Sequence, residues 1–172
     1  MPMEEFDELY FKYSDRIYSY ILLMVGDKQI AEDLTQETFV KMFRNREQFQ
    51  EQSQFSTWLI SIARNCTIDY LRKQKPLFLW PFDRLTSITA KDTVEMKVEK
   101  NEAVGELYRQ ISMLKQKYKE VIILRKIQEL SIKETADILG WSEGKVKMVT
   151  HRAMEKLRLH MKEEVDVHET IR

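Results

Sequence analysis

Between Lys145 and Arg158 the chain gathers side chains that can meet phosphates and base edges: Lys145, Lys147, His151, Arg152, Lys156 and Arg158. This is binding chemistry, in which cations meet phosphates and donors meet bases. The elements of covalent or metal catalysis are absent from the sequence. No glycine-rich phosphate loop, HExxH pair or Cys/His cluster is present. The three histidines are scattered through the last quarter, and the single cysteine, Cys66, excludes an internal disulfide and a Cys-based zinc site. Asp33 and Glu37 could mimic a carboxylate site on one helix, but no partner ligands accompany them. No catalytic residue, metal site, cofactor or small-molecule substrate is expected.

The element that must position the basic cluster is a helical pair, LSIKETADILGWSEGKVKMVTHRAMEKLRLHM. Ser131 with Glu134 three residues later predicts a capping box, and Gly140 predicts the stop. Ser142 can cap the second helix, whose apolar stripe is Val146, Val149, Ala153, Leu157 and Met161. Small Ala136, then Gly140, then Val146 supply the close crossing, sharp turn and apolar anchor of a helix-turn-helix. A solvated basic face on an ordinary helical hairpin is the plain alternative.

Composition agrees with a soluble helical protein. Of 172 residues, 43% are hydrophobic and 33% charged, enough for one domain or two small ones, and only four Gly and three Pro occur. Acidic and basic residues balance at 28 each, so charge is distributed, not global. Acidic residues collect in the N-terminal third and the tail; basic ones gather around Arg64 to Lys75 and Lys145 to Lys162. No run is long enough to span a membrane, and the start lacks the pattern of a secretory leader, so a cytoplasmic protein is expected.

Along the chain, Phe6, Leu9, Tyr10, Tyr13, Ile17, Ile21 and Met24 predict a long amphipathic helix ending at Gly26. Asp27 can cap the next helix, Lys28 to about Arg44, with Ala31, Leu34, Thr38 and Met42 inside and Phe39 beside them. Glu32, Asp33, Gln36, Glu37, Val40 and Lys41 fall outside that stripe, as a solvated face or a binding one. Asn45 to Ser56 reads as an ordered loop carrying Phe49 and Phe55. Ser56 can cap a following helix, whose apolar side holds Trp58, Leu59, Ile62, Ala63, Cys66, Tyr70 and Leu71 and whose other side holds Arg64, Asn65, Asp69, Arg72 and Lys73. Rings beside cations suit single-stranded nucleic acid, while core packing is the other reading for Trp58. From Lys75 to about Glu95 no period survives, which predicts a linker, and its Leu77–Trp80 run is apolar enough to dock on the chain itself or on a partner. Val104, Leu107, Ile111 and Leu114 predict another helix. A turn at Gln116 and Lys117 follows, then a helix from Tyr118 that leads to the helix-turn-helix. Past Met161 the acidic tail is expected to fray.

Taken together, AEDLTQETF, STWLISIARN, IDYLRK and the C-terminal helix-turn-helix resemble, in order and over nearly the whole chain, the extracytoplasmic-function (ECF) sigma factors of the sigma-70 family. The resemblance implies an all-α protein of two small helical domains: a three-to-four-helix region 2 (1–75) and a four-helix region 4 (104–163). An irregular linker (76–103) joins them, and an acidic tail (164–172) follows. It implies docking on bacterial core RNA polymerase through Asp33, Gln36, Glu37 and Val40. It implies minus-ten promoter recognition and melting through Phe55, Thr57, Trp58, Asn65 and Arg72. Minus-thirty-five recognition would fall to Ser142, Glu143, Gly144, Lys145, Lys147, Met148, His151 and Arg152. Met148 and Val149 stand where many members carry an arginine. An anti-sigma factor is the further partner implied. A stand-alone helix-turn-helix regulator would instead need a sensing or dimerising domain, and an enzyme would need a catalytic constellation.

Overall fold

In the computed structural model, residues 3–49, 54–74 and 102–170 are described, the last nine as backbone only. Among them are seven α-helices and no strand, as the all-α reading expects. The chain divides into two compact units, one up to Ser87 and one from Ile88. The predicted linker with its Leu77–Trp80 run, the loop positions 50–53 and the side chains of the acidic tail lie outside the described residues.

The first unit packs α1 (Met3–Val25), α2 (Lys28–Asn45) and α3 (Phe55–Gln74) against one another. Gly26 ends α1 with φ 74°, a conformation that suits glycine. Asp27 then caps α2, its carboxylate accepting from the Ile30 amide at 2.9 Å. Tyr20, Ile21, Leu22, Ala31, Met42, Leu59, Ile60 and Ala63 are at or near zero exposure and form the core.

Four buried threonines, Thr35, Thr38, Thr57 and Thr67, share that core. The hydroxyls of Thr35, Thr38 and Thr67 donate to the carbonyls four residues back at 2.7–2.8 Å, so these polar groups are buried satisfied. Between α2 and α3 a 3-10 turn (Arg46–Gln48) leads to Phe49. Helix α3 begins one residue before Ser56, and the Gln54 carbonyl accepts from Thr57 and Trp58. The expected Ser56 cap is therefore corrected: the helix already begins at Phe55, so Ser56 lies inside it.

The second unit consists of α4 (Glu102–Met113), α5 (Gln116–Ile122), α6 (Ile132–Leu139) and α7 (Glu143–Thr170). The α4–α5 turn falls at Leu114 and Lys115, because the buried Leu114 closes the bend and Gln116 is already in the helix. The backbone leaves α5 through a π-helical stretch (Ile123–Ile127). The Arg125 guanidinium donates to the Leu130 carbonyl across the turn that follows, where Glu129 adopts φ 57°. That left-handed conformation costs a non-glycine residue on the order of 1 kcal/mol. Ser131 and Glu134 form the predicted capping box, at 3.1 and 2.8 Å.

The tail is the other correction. The α7 backbone stays helical to Thr170 instead of fraying after Met161, since no Gly or Pro interrupts it beyond Gly144.

Candidate nucleic-acid and polymerase interfaces

Three sets of exposed side chains rest on these frames. On α7, Val146, Val149, Ala153 and Leu157 are at most 5% exposed, the two valines and the leucine each contributing about 1.5–3 kcal/mol of burial. They lock the opposite face outward. Ser142, Glu143, Gly144, Lys145, Lys147, Met148, His151 and Arg152 are all exposed, so the eight predicted minus-thirty-five residues share one accessible surface.

The entry to that surface is fixed by a tight turn. Gly140 takes φ 64°, and the Trp141 amide donates to the Ala136 carbonyl at 3.0 Å. The Ser142 hydroxyl accepts from the Lys145 amide at 3.2 Å. The Lys145 ammonium sits 4.2 Å from the centroid of the Trp141 ring, a cation–π contact that holds it toward the helix N-terminus. His151 leans the other way, its Nε2 3.3 Å from Glu155. Gly144 meets nothing within 4 Å where a Cβ would stand, so nothing inside the unit requires a glycine there.

On α2, Asp33, Gln36, Glu37 and Val40 are exposed together at helical spacing. Gln29 donates to Asp33 at 3.4 Å, and Lys41 pairs with Glu37 at 2.7 Å. Both partners are half-exposed there, so the pair adds little stability and leaves the carboxylate accessible. That hydrogen bond to Glu37 is the main cause holding the Lys41 ammonium above its ordinary pKa. Behind this face, burial pushes the Cys66 thiol up against opposing help from Thr38 and Lys41, leaving an inert thiol.

Sequence reasoning missed Phe43, which continues the face one turn on. It is 39% exposed, with Phe6 edge-on at 5.7 Å and the Arg46 guanidinium 4.7 Å from its ring. Its place outside the buried stripe was the available signal.

On α3, Trp58, Asn65 and Arg72 recur every seventh residue and form one stripe, with Asn65 and Arg72 exposed and Trp58 half-buried. At the start of that stripe lies an aromatic cluster: Phe55 to Trp58 at 5.6 Å, Phe49 to Trp58 at 5.1 Å and Tyr13 to Phe55 at 5.4 Å. Tyr13 joins it from α1, a contact between residues far apart in sequence that no local pattern announces. Thr57 stands apart from the stripe at 5% exposure, with the burial of a core residue. Among the described residues no group of three or more His, Cys, Asp or Glu could hold a metal, and no helix is long and apolar enough to cross a membrane.

Comparison with known proteins identifies the family and the fold. Residues 9–76 match the family Sigma-70 region 2, and residues 105–157 match Sigma-70, region 4. The chain is 38% identical over 164 residues to the ECF RNA polymerase sigma factor SigX of Bacillus subtilis (strain 168), covering 92% of this chain and 84% of that protein. It is 34% identical to SigM of the same organism, covering 88% and 92%. Among solved structures, the sigma factor RpoE in complex with the anti-sigma factor NepR from Bartonella quintana matches with TM-score 0.73 at 20% identity, over 93% of this chain and 98% of that one. CnrH in complex with the cytosolic domain of CnrY matches with TM-score 0.70 at 21% identity, over 94% and 90%. These two show the same fold. The chain belongs to the extracytoplasmic-function sigma factors of the sigma-70 family, subunits that bind bacterial core RNA polymerase and direct it to promoters.

Proposed function

We propose that the three exposed surfaces divide the work of initiation among them. The α2 face of Asp33, Gln36, Glu37 and Val40, with Phe43 added, docks on a large subunit of core polymerase. Val40 and Phe43 supply an apolar centre and the polar residues its rim, the usual anatomy of a protein interface. The α3 stripe of Trp58, Asn65 and Arg72, with the aromatic cluster at its start, engages the minus-ten strand. There an unstacked base is offered rings, and the phosphates a cation. Phe55 serves this surface as part of the cluster, and Thr57 serves it by fixing α3 on the core.

The exposed face of α7 reads the minus-thirty-five element. The observation that carries the reading is that this face is wholly accessible while its opposite stripe is buried. Residues 1–75 and 104–163 then act as promoter-reading modules, with 76–103 as their connection and 164–172 as an acidic extension. The chain performs no catalysis of its own, takes no cofactor and works in the cytoplasm, where the polymerase is. An anti-sigma factor holds it inactive, by analogy with RpoE in its complex with the anti-sigma factor NepR.

Run-off transcription with purified core polymerase on genomic DNA tests the proposal. Discrete start sites sharing two upstream elements are expected. Tight, dimeric, palindrome-specific binding by the free protein would reject it in favour of a stand-alone regulator.

A further inference from the structure

Met148 is a large apolar side chain on a surface otherwise built from charge and hydroxyl. It is 45% exposed, and the next exposed large apolar residue on α7, Leu159, lies about 16 Å farther along the axis at about 1.5 Å per residue. Lys145, His151 and Arg152 are its neighbours at three- and four-residue spacing and could have covered it. Two of them are drawn away. Lys145 is held 4.2 Å from the Trp141 ring on the N-terminal side, and His151 lies 3.3 Å from Glu155 on the C-terminal side. The methionine keeps 45% of its surface exposed near the start of the helix, the part of a recognition helix that meets base edges in the major groove.

Base edges in that groove carry donors and acceptors on every pair, and one apolar feature, the 5-methyl group of thymine. A thioether can neither donate to guanine nor accept usefully from cytosine or adenine. Its flexible, polarisable chain does suit a methyl group. We propose that Met148 is a specificity-determining residue that selects a thymine in the minus-thirty-five element through its methyl group. The inference rests on the α7 face being the minus-thirty-five reader, and it assigns the chemical feature that one position reads.

The test uses holoenzyme assembled from the full-length chain and core polymerase. Promoter duplexes are first selected from a pool randomised over the minus-thirty-five region. The selected duplexes are then resynthesised with deoxyuridine replacing thymidine at random, and the bound fraction is sequenced. Wild-type holoenzyme should deplete uracil about fourfold at one thymine or two adjacent ones, the factor for burying one methyl-sized group. Met148→Ala should abolish that depletion, Met148→Leu should keep most of it, and Met148→Arg should select guanine at the same position. Phosphate-ethylation interference across the element is measured in parallel. If ethylation interferes but no thymine shows depletion, or Met148→Ala leaves the depletion unchanged, the methyl assignment is overturned. If ethylation across the element has no effect with any variant, the minus-thirty-five reading itself fails and Met148 falls with it.

Discussion

Gly144 and Lys147 are where single side chains carry the promoter-reading account. A Cβ on Gly144 would meet nothing within 4 Å, and the residue lies in the first turn of α7. Gly144→Ala should therefore stabilise the free protein, by about 0.5–1 kcal/mol in thermal unfolding. The same change should weaken promoter binding by holoenzyme, because the bare backbone is then serving the DNA. A variant that gains stability and binds promoter unchanged would remove Gly144 from the interface. Lys147→Ala should lower affinity across promoter sequences alike and reduce the slope of log affinity against log salt by about one. An unchanged slope would mean that Lys147 meets no phosphate. At this scale the sequence was legible for residues read by charge and less so for those read by burial. Thr38 was read as buried from its place in the α2 stripe, but Thr35, Thr57 and Thr67 look polar in a sequence; Thr35 and Thr67 close their hydrogen bonds onto their own helix and so enter the core. Met148 looked like a lost arginine in the sequence; the structure leaves it 45% exposed, with Lys145 turned to Trp141 and His151 to Glu155.

At the scale of elements, α5 holds a group that the sequence pattern passes over. Lys119 is 5% exposed between the buried Tyr118 and Glu120, and burial lowers its pKa from 10.5 to about 8. The folded state therefore resists protonating Lys119 while the unfolded chain accepts the proton readily. Between about 8 and 10.5 the unfolded state binds more protons, so stability should rise with pH across that window and be lowest, and flat, below it. Lys119→Met should raise the stability of the second unit near pH 7 by on the order of 1–3 kcal/mol and erase the slope. Hydrogen exchange of α5 amides in the full chain, measured from pH 7 to 10 and corrected for intrinsic exchange, reads both; a pH-independent protection in the wild type would contradict it. The helices themselves were largely legible, because caps, stops and stripes are local. Asp27, Ser131, Gly26, Gly140 and the Val146–Leu157 stripe stand where their residue types predict. The π-helical stretch after α5 was not legible, since Ile123–Ile127 is as apolar and periodic as an ordinary helix. Nor was the start of α3, which falls one residue before Ser56 and leaves that hydroxyl inside the helix.

For the whole molecule, the proposed division of labour rests on the α2 face. Its four predicted residues and Phe43 lie outward on a helix whose other side is sealed by Ala31, Leu34, Thr38, Phe39 and Met42. The order of motifs made the family legible from sequence alone. The aromatic cluster was not, because Tyr13 and Phe55 meet only once α1 and α3 are packed. Asp33→Lys combined with Gln36→Ala should cut affinity for core at least tenfold and leave the helical content and the second unit unchanged, since both side chains are exposed. Wild-type affinity in that double variant would move the docking surface elsewhere. The most direct measurement is the titration of purified chain, free of any inhibitor, against bacterial core RNA polymerase. A saturable one-to-one complex that starts transcription at discrete promoters is the predicted result. Failure to associate with core at any accessible concentration would contradict the account.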